Sequence, residues 1–169
     1  MSDLDHINAL PLAGFIEAFG EIAEHSAWVA EEAAKARPFK DRDSMIAAFQ
    51  AAVLQASEQS QLDLLRAHPD LAGKAALAGE LTDDSRREQA GAGLSQLTVE
   101  EYARFHAMND QYKSRFGIPF ILAVQGATKQ QILDSFASRV HGTQREEHLT
   151  ALAQVLRIIR FRLEARVKE

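Results

Sequence analysis

The sequence predicts an all-α chain folded as a single-domain bundle of about seven to nine helices. Three observations carry that prediction. Apolar side chains recur at helical spacing along most of the chain, several periodic segments open on a hydroxyl residue suited to capping, and no alternating apolar run finds a second with which to form a sheet. An alanine-rich composition leans the same way, because alanine loses the least on entering a helix.

From Leu12 to Ala34, the residues Phe15, Phe19, Ile22, Ala23 and Val29 recur near a helical period, with Glu17, Glu21 and Glu24 on the other side. This predicts a first amphipathic helix. Ser44 can cap a second helix carrying Ile46, Phe49, Val53 and Leu54. A third runs through Leu62, Leu64 and Leu65 to His68-Pro69, where the proline disfavours helical backbone for His68 and so predicts the helix end.

Residues Leu71 to Asp84 read as a short helical or irregular connection. Ser85-Arg86-Arg87-Glu88 then has the form of a capping box, predicting a helix start at Ser85. Thr98-Val99-Glu100-Glu101 repeats the signature before a periodic helix through Tyr102, Phe105, Met108, Tyr112 and Phe116, which Gly117 is placed to end. The apolar run Ile118 to Val124 contains Pro119 and lacks a strand partner, so it reads as a buried extended segment or a short helix. Thr128 can cap a helix with Ile132, Leu133, Phe136 and Val140, and Thr143-Gln144-Arg145-Glu146 opens a long last helix through Leu149, Leu152, Leu156, Ile159 and Leu163.

A length of 169 residues fits one domain, able to bury roughly 70% of the surface its unfolded chain exposes. No repeat or low-complexity linker divides it. The formal net charge of -5 has the wrong sign for neutralising nucleic-acid phosphates. With no cysteine there is no disulfide or thiolate nucleophile, which suits a reducing compartment. The start of the chain lacks a signal-peptide pattern, no apolar run approaches a membrane span, and the last residues are no peroxisomal address, so a cytoplasmic location is expected. Gly91-Ala92-Gly93 follows no strand and is not a phosphate loop.

Of the histidines His6, His25, His68, His106, His141 and His148, none falls in a compact metal-ligand spacing. His68 stands apart because it lies between a helix end and a proline, where the backbone turns and functional groups often sit. An imidazole with an ordinary pKa of about 6.5 moves protons near neutrality. The local alternative is that His68 and Asp70 only cap a helix end and a turn. Glu88 likewise has two readings, a capping-box glutamate or one carboxylate of a site in which Ser85 and free backbone N–H groups at a helix start receive a small anionic, urea-like ligand.

Three motifs occur in order: His68-Pro69-Asp70-Leu71-Ala72-Gly73-Lys74, then Ser85-x-x-Glu88-Gln89 with Ala92-Gly93-Leu94, then Asn109-x-x-Tyr112-x-x-Arg115-Phe116-Gly117-Ile118-Pro119-Phe120-Ile121. Together they resemble the 2-oxo-4-hydroxy-4-carboxy-5-ureidoimidazoline (OHCU) decarboxylase family, and the resemblance runs from Phe15 and Glu24-His25-Ser26-x-Trp28 to Arg160-x-Arg162-Leu163. It implies an all-helical homodimeric enzyme without metal or organic cofactor, releasing CO2 from OHCU to give (S)-allantoin in urate degradation. It further implies His68 and Glu88 as catalytic residues, with substrate contacts from Pro69, from Ser85, Arg86, Arg87 and Gln89, and from the backbone of Phe120, Ile121, Leu122, Ala123 and Val124. Ile118 departs from the phenylalanine common at that position, altering pocket shape more than chemistry. Some relatives are fused to the preceding hydrolase, which this chain is too short to contain, so a separate protein is expected to supply that step. Two other readings are a lyase or hydrolase acting on another ureido compound and a non-catalytic helical adaptor in which His68 and Glu88 are only caps.

Overall fold

The computed structural model describes residues 1–169 except for the side chain of Ala75. Among the described residues there are ten α-helices and no strand, only a single parallel bridge between Ser2 and Val167. The chain divides into two compact units, Met1–Ala67 with Val155–Glu169, and His68–Gln154.

The first unit holds α1 (Leu4–Ala9), α2 (Leu12–Phe19), α3 (Trp28–Ala34), α4 (Arg42–Leu54), α5 (Glu58–Ala67) and the end of α10 (Gln144–Arg166). Its core gathers Phe15 against Phe19, Phe39 and Phe49, with ring centroids 5.0, 6.1 and 6.1 Å apart, among buried Ile7, Ile22, Val29, Met45, Ile46 and Val53. The Asn8 side chain binds both backbone groups of Phe39, donating to its carbonyl at 2.9 Å and accepting its N–H at 2.8 Å, which pins the loop before α4.

The single helix expected over Leu12 to Ala34 is two helices. Between α2 and α3 the chain turns through His25, whose φ of +53° cannot continue a right-handed helix. The turn brings Glu24 inside to an ion pair with Arg162 at 3.4 Å, and Arg162 also donates to the Ile22 carbonyl at 3.2 Å. Both side chains are almost fully buried, at 1% and 3% exposure, so each is needed to offset the other's desolvation. The capping of α4 also differs from expectation: Asp41 is the cap, and Ser44, three residues on, returns the bond to the Asp41 N–H.

The second unit holds α6 (Lys74–Ala78), α7 (Asp83–Gly91), α8 (Val99–Phe116), α9 (Lys129–Arg139) and the first part of α10. The expected capping boxes at Thr98/Glu101 and Thr128/Gln131 are both present and reciprocal, and α8 ends on Gly117 in the left-handed region at φ +68°. Thr143 and Glu146 bond each other's N–H groups at the start of α10. The core here is aromatic: Phe120 stacks on Phe136 with centroids 3.7 Å apart and meets Tyr112 edge-on at 5.2 Å, while Phe105 packs edge-on against Phe136. No described helix is long and apolar enough to cross a membrane.

Candidate active site

His68 is the first residue after α5, in a bend before Pro69, as the proline predicts. It is 8% exposed, whereas the other five histidines are half-buried or exposed. Pro69 and Asp70 are half-buried, and Leu71, Ala72 and Gly73 are buried. Ala72 lies at φ +53°, a conformation alanine holds only where its surroundings impose it. A Cβ at residue 73 would come within 2.7 Å of the Asp70 Cβ, so the close turn requires glycine there.

Side chains from α7 and α8 impose this turn. Gln89 accepts the Ala72 N–H at 2.9 Å and directs its Nε2 to the Asp70 carbonyl at 3.5 Å. Asn109 donates to the Leu71 carbonyl at 2.8 Å, and Lys113, one helical turn further along α8, pairs with the Asp70 carboxylate at 2.6 Å.

The expected start of α7 at Ser85 is corrected: Thr82 is the cap and accepts the Ser85 N–H. An earlier start places Asp83 and Asp84 in the first turn, where the helix dipole favours carboxylates. Ser85 is therefore an internal residue, and the capping-box account of Glu88 does not apply. The buried face of α7 is polar, with Asp84, Ser85 and Gln89 each about 5–6% exposed and Glu88 half-buried beside them at helical spacing. Arg86 and Arg87 lie on the exposed side, where Arg86 pairs with Asp83 at 3.2 Å and bonds the Leu81 carbonyl, and Arg87 pairs with Asp84 at 2.5 Å.

The segment after α8 forms neither helix nor strand, which excludes the short helix among its two expected forms; Phe120, Ile121, Ala123 and Val124 are buried and Leu122 half-buried. Side chains meet two of its backbone polar groups. Arg139 donates to the Ile121 carbonyl at 2.6 Å with its guanidinium 4.4 Å from the Phe120 ring centroid, and Gln154 accepts the Ala123 N–H at 3.0 Å. Arg139 also bonds the buried Glu147 at 2.9 Å, and Glu147 accepts the Tyr112 hydroxyl at 2.5 Å. Burial first, and then the bond to Glu147, push the Tyr112 phenol well above its ordinary pKa.

The model for the OHCU decarboxylase family matches residues 8–164. The chain belongs to the OHCU decarboxylase family. It is 42% identical over 163 residues to the 2-oxo-4-hydroxy-4-carboxy-5-ureidoimidazoline decarboxylase of Haloferax volcanii, covering 96% of this chain and 95% of that protein. It is 35% identical to the putative human decarboxylase, over 95% and 93% of the two chains. The uric acid degradation bifunctional protein PucL of Bacillus subtilis is 39% identical over 96% of this chain, which spans 32% of that longer protein. Among solved structures, an (S)-allantoin synthase aligns with a TM-score of 0.78 at 32% identity, covering 98% of this chain and 54% of that one. An OHCU decarboxylase crystallised in the presence of (S)-allantoin shares the fold, with a TM-score of 0.72 at 18% identity over 88% of this chain and 96% of that one.

In this OHCU decarboxylase domain, the His68 turn and α7 meet through Gln89, while the Phe120–Val124 segment is held by a separate set of side chains in the same unit. Sequence reasoning gave no role to Arg139, Glu147, Asn109, Lys113 or Gln154. A signal was present for two of them: Arg139 falls three positions after Phe136 and Glu147 four before Ala151, charged residues continuing buried stripes.

Proposed function

We propose that this chain decarboxylates 2-oxo-4-hydroxy-4-carboxy-5-ureidoimidazoline to (S)-allantoin and CO2 in urate degradation, with His68 handling the proton. The observation that carries the assignment of His68 is its burial at the head of a turn that side chains of α7 and α8 clamp, in a chain of this family.

The carbon that loses CO2 adjoins the ring's unsaturated C–N unit, so the electron pair of the broken C–C bond passes into the ring. Protonation of the ring nitrogen that received the pair and of the adjacent ureido-bearing carbon, with loss of the hydroxyl proton, then gives the ring carbonyl of allantoin, a net uptake of one proton. The enzyme's task is position and proton delivery. Ser85 and Glu88, on the inward face of α7, orient the ureido arm by hydrogen bonding. Pro69 and the buried Phe120–Val124 segment wall the pocket and strip water from the carboxylate, which loses its charge on leaving as CO2. Proton delivery from one face fixes the configuration of the product. Gln89 serves this site through the His68 turn that its amide holds. Arg86 and Arg87, exposed at the rim, contribute positive charge toward an anionic substrate. The working protein is a cytoplasmic homodimer that needs no cofactor.

The test is to follow optically active allantoin by circular dichroism from freshly generated substrate. His68→Asn is expected to lower turnover by about 10²-fold or more with the fold retained, and Glu88→Gln to raise KM more than it lowers kcat. Near-normal turnover of His68→Asn rules out the assigned proton role, and a wild-type rate no faster than spontaneous decay rules out the activity.

A further inference from the structure

Asn109 is 2% exposed in the middle of α8, a position where asparagine is a weak helix former and a buried amide must find partners for both ends. Only one end is matched. Nδ2 donates to the Leu71 carbonyl at 2.8 Å, while the buried Oδ1 has no hydrogen-bond donor. Rotating the amide would set two acceptors, Oδ1 and the Leu71 oxygen, against each other, so its orientation is fixed. As a stabilising device, an amide that makes one bond and strands a buried acceptor is poor. What it does supply is a fixed location for the carbonyl three residues beyond His68.

Lys113 lies on the same face of α8, four residues on, and its 2.6 Å ion pair fixes Asp70, the residue before Leu71. Between them, these two side chains hold a non-helical stretch whose next residue, Ala72, sits in the left-handed region. Such a conformation persists only where contacts over-determine it, and α8 grips the chain two and three residues beyond His68, at residues 70 and 71. We infer that Asn109, seconded by Lys113, is a positioning residue of the reaction, setting the location of the His68 imidazole by gripping the turn that follows it. The inference rests on His68 being the proton-handling group.

The experiment measures kcat, KM and thermal melting in the full-length chain for Asn109→Leu, Lys113→Met and Lys113→Arg, each also combined with His68→Asn. A displaced imidazole predicts kcat lower by about tenfold or more in Asn109→Leu, KM within about twofold, and only a modest fall in melting temperature, because the Leu71 carbonyl loses its donor while the stranded Oδ1 is removed. Lys113→Met should lose less, and Lys113→Arg should restore it. In the His68→Asn background, Asn109→Leu should cause no further loss, since it acts through the imidazole. Wild-type kcat in Asn109→Leu overturns the inference, as does a loss of the same size with and without His68. If Asn109→Leu does not fold, the Lys113 pair decides: loss in Met without recovery in Arg, or no loss in Met, overturns it. Activity persisting in His68→Asn instead overturns the assignment of His68 and is distinguished by that single variant.

Discussion

Gln89 accepts the N–H of Ala72 at 2.9 Å, so a side chain on the buried face of α7 supports an alanine held at φ +53°. The backbone there does not favour its own conformation, and the amide is what the turn leans on. The polar face of α7 and the turn after His68 are thereby one mechanical unit.

Removing that support should be felt twice. Gln89→Leu leaves the Ala72 N–H unsatisfied in a buried turn and is expected to cost about 1–3 kcal/mol in denaturant unfolding, together with a fall in turnover. Gln89→Glu keeps the acceptor but buries a carboxyl facing the Asp70 carbonyl, so its stability cost should be the smaller of the two only in acid, where that carboxyl is protonated, and should grow as it ionises. Equal melts for both variants in acid would show that the Ala72 bond does not hold the turn.

The raised phenol of Tyr112 makes stability depend on alkaline pH. Its folded pKa lies above the unfolded value of about 10, so its contribution is complete below pH 10 and is lost as the pH climbs toward the folded value. In Tyr102→Phe, Tyr112 is the only tyrosine left of the two in the chain. The folded protein should then show no phenolate absorbance up to about pH 11, the signal appearing together with loss of structure. Titration near pH 10 with the fold intact would refute the buried bond to Glu147.

The buried pair Glu24–Arg162 is expected to behave asymmetrically. Arg162→Met leaves a carboxylate at 1% exposure without its guanidinium and should cost about 3–5 kcal/mol. Adding Glu24→Gln removes the stranded charge and should recover part of that loss, a coupling readable from urea melts of the singles and the double. Strict additivity would show that the two side chains act independently.

Much of the fold is written locally. Capping at Thr98 and Thr128, the left-handed stop at Gly117 and the end of α5 before Pro69 follow from residues within a few positions of one another, and the structure keeps each. Where local signals competed, sequence could not arbitrate. Thr82 and Ser85 both suit a cap, as do Asp41 and Ser44, and in each case the earlier residue takes the role while the later becomes its partner. The break between α2 and α3 was invisible because its reason, Glu24 turning in to Arg162, lies 138 residues away.

The candidate site divides along the same line. From the sequence came His68 at a turned helix end, the polar spacing of Ser85, Glu88 and Gln89, and the apolar run through Val124, because proline, helical period and hydrophobicity are properties of the chain itself. Tertiary structure alone decided that Gln89 and Asn109 hold the turn after His68, and that Gln154 and Arg139, the latter paired with Glu147, hold the segment after α8. Those bonds satisfy backbone groups that no helix can satisfy, and which side chain reaches them depends on packing between elements far apart in sequence.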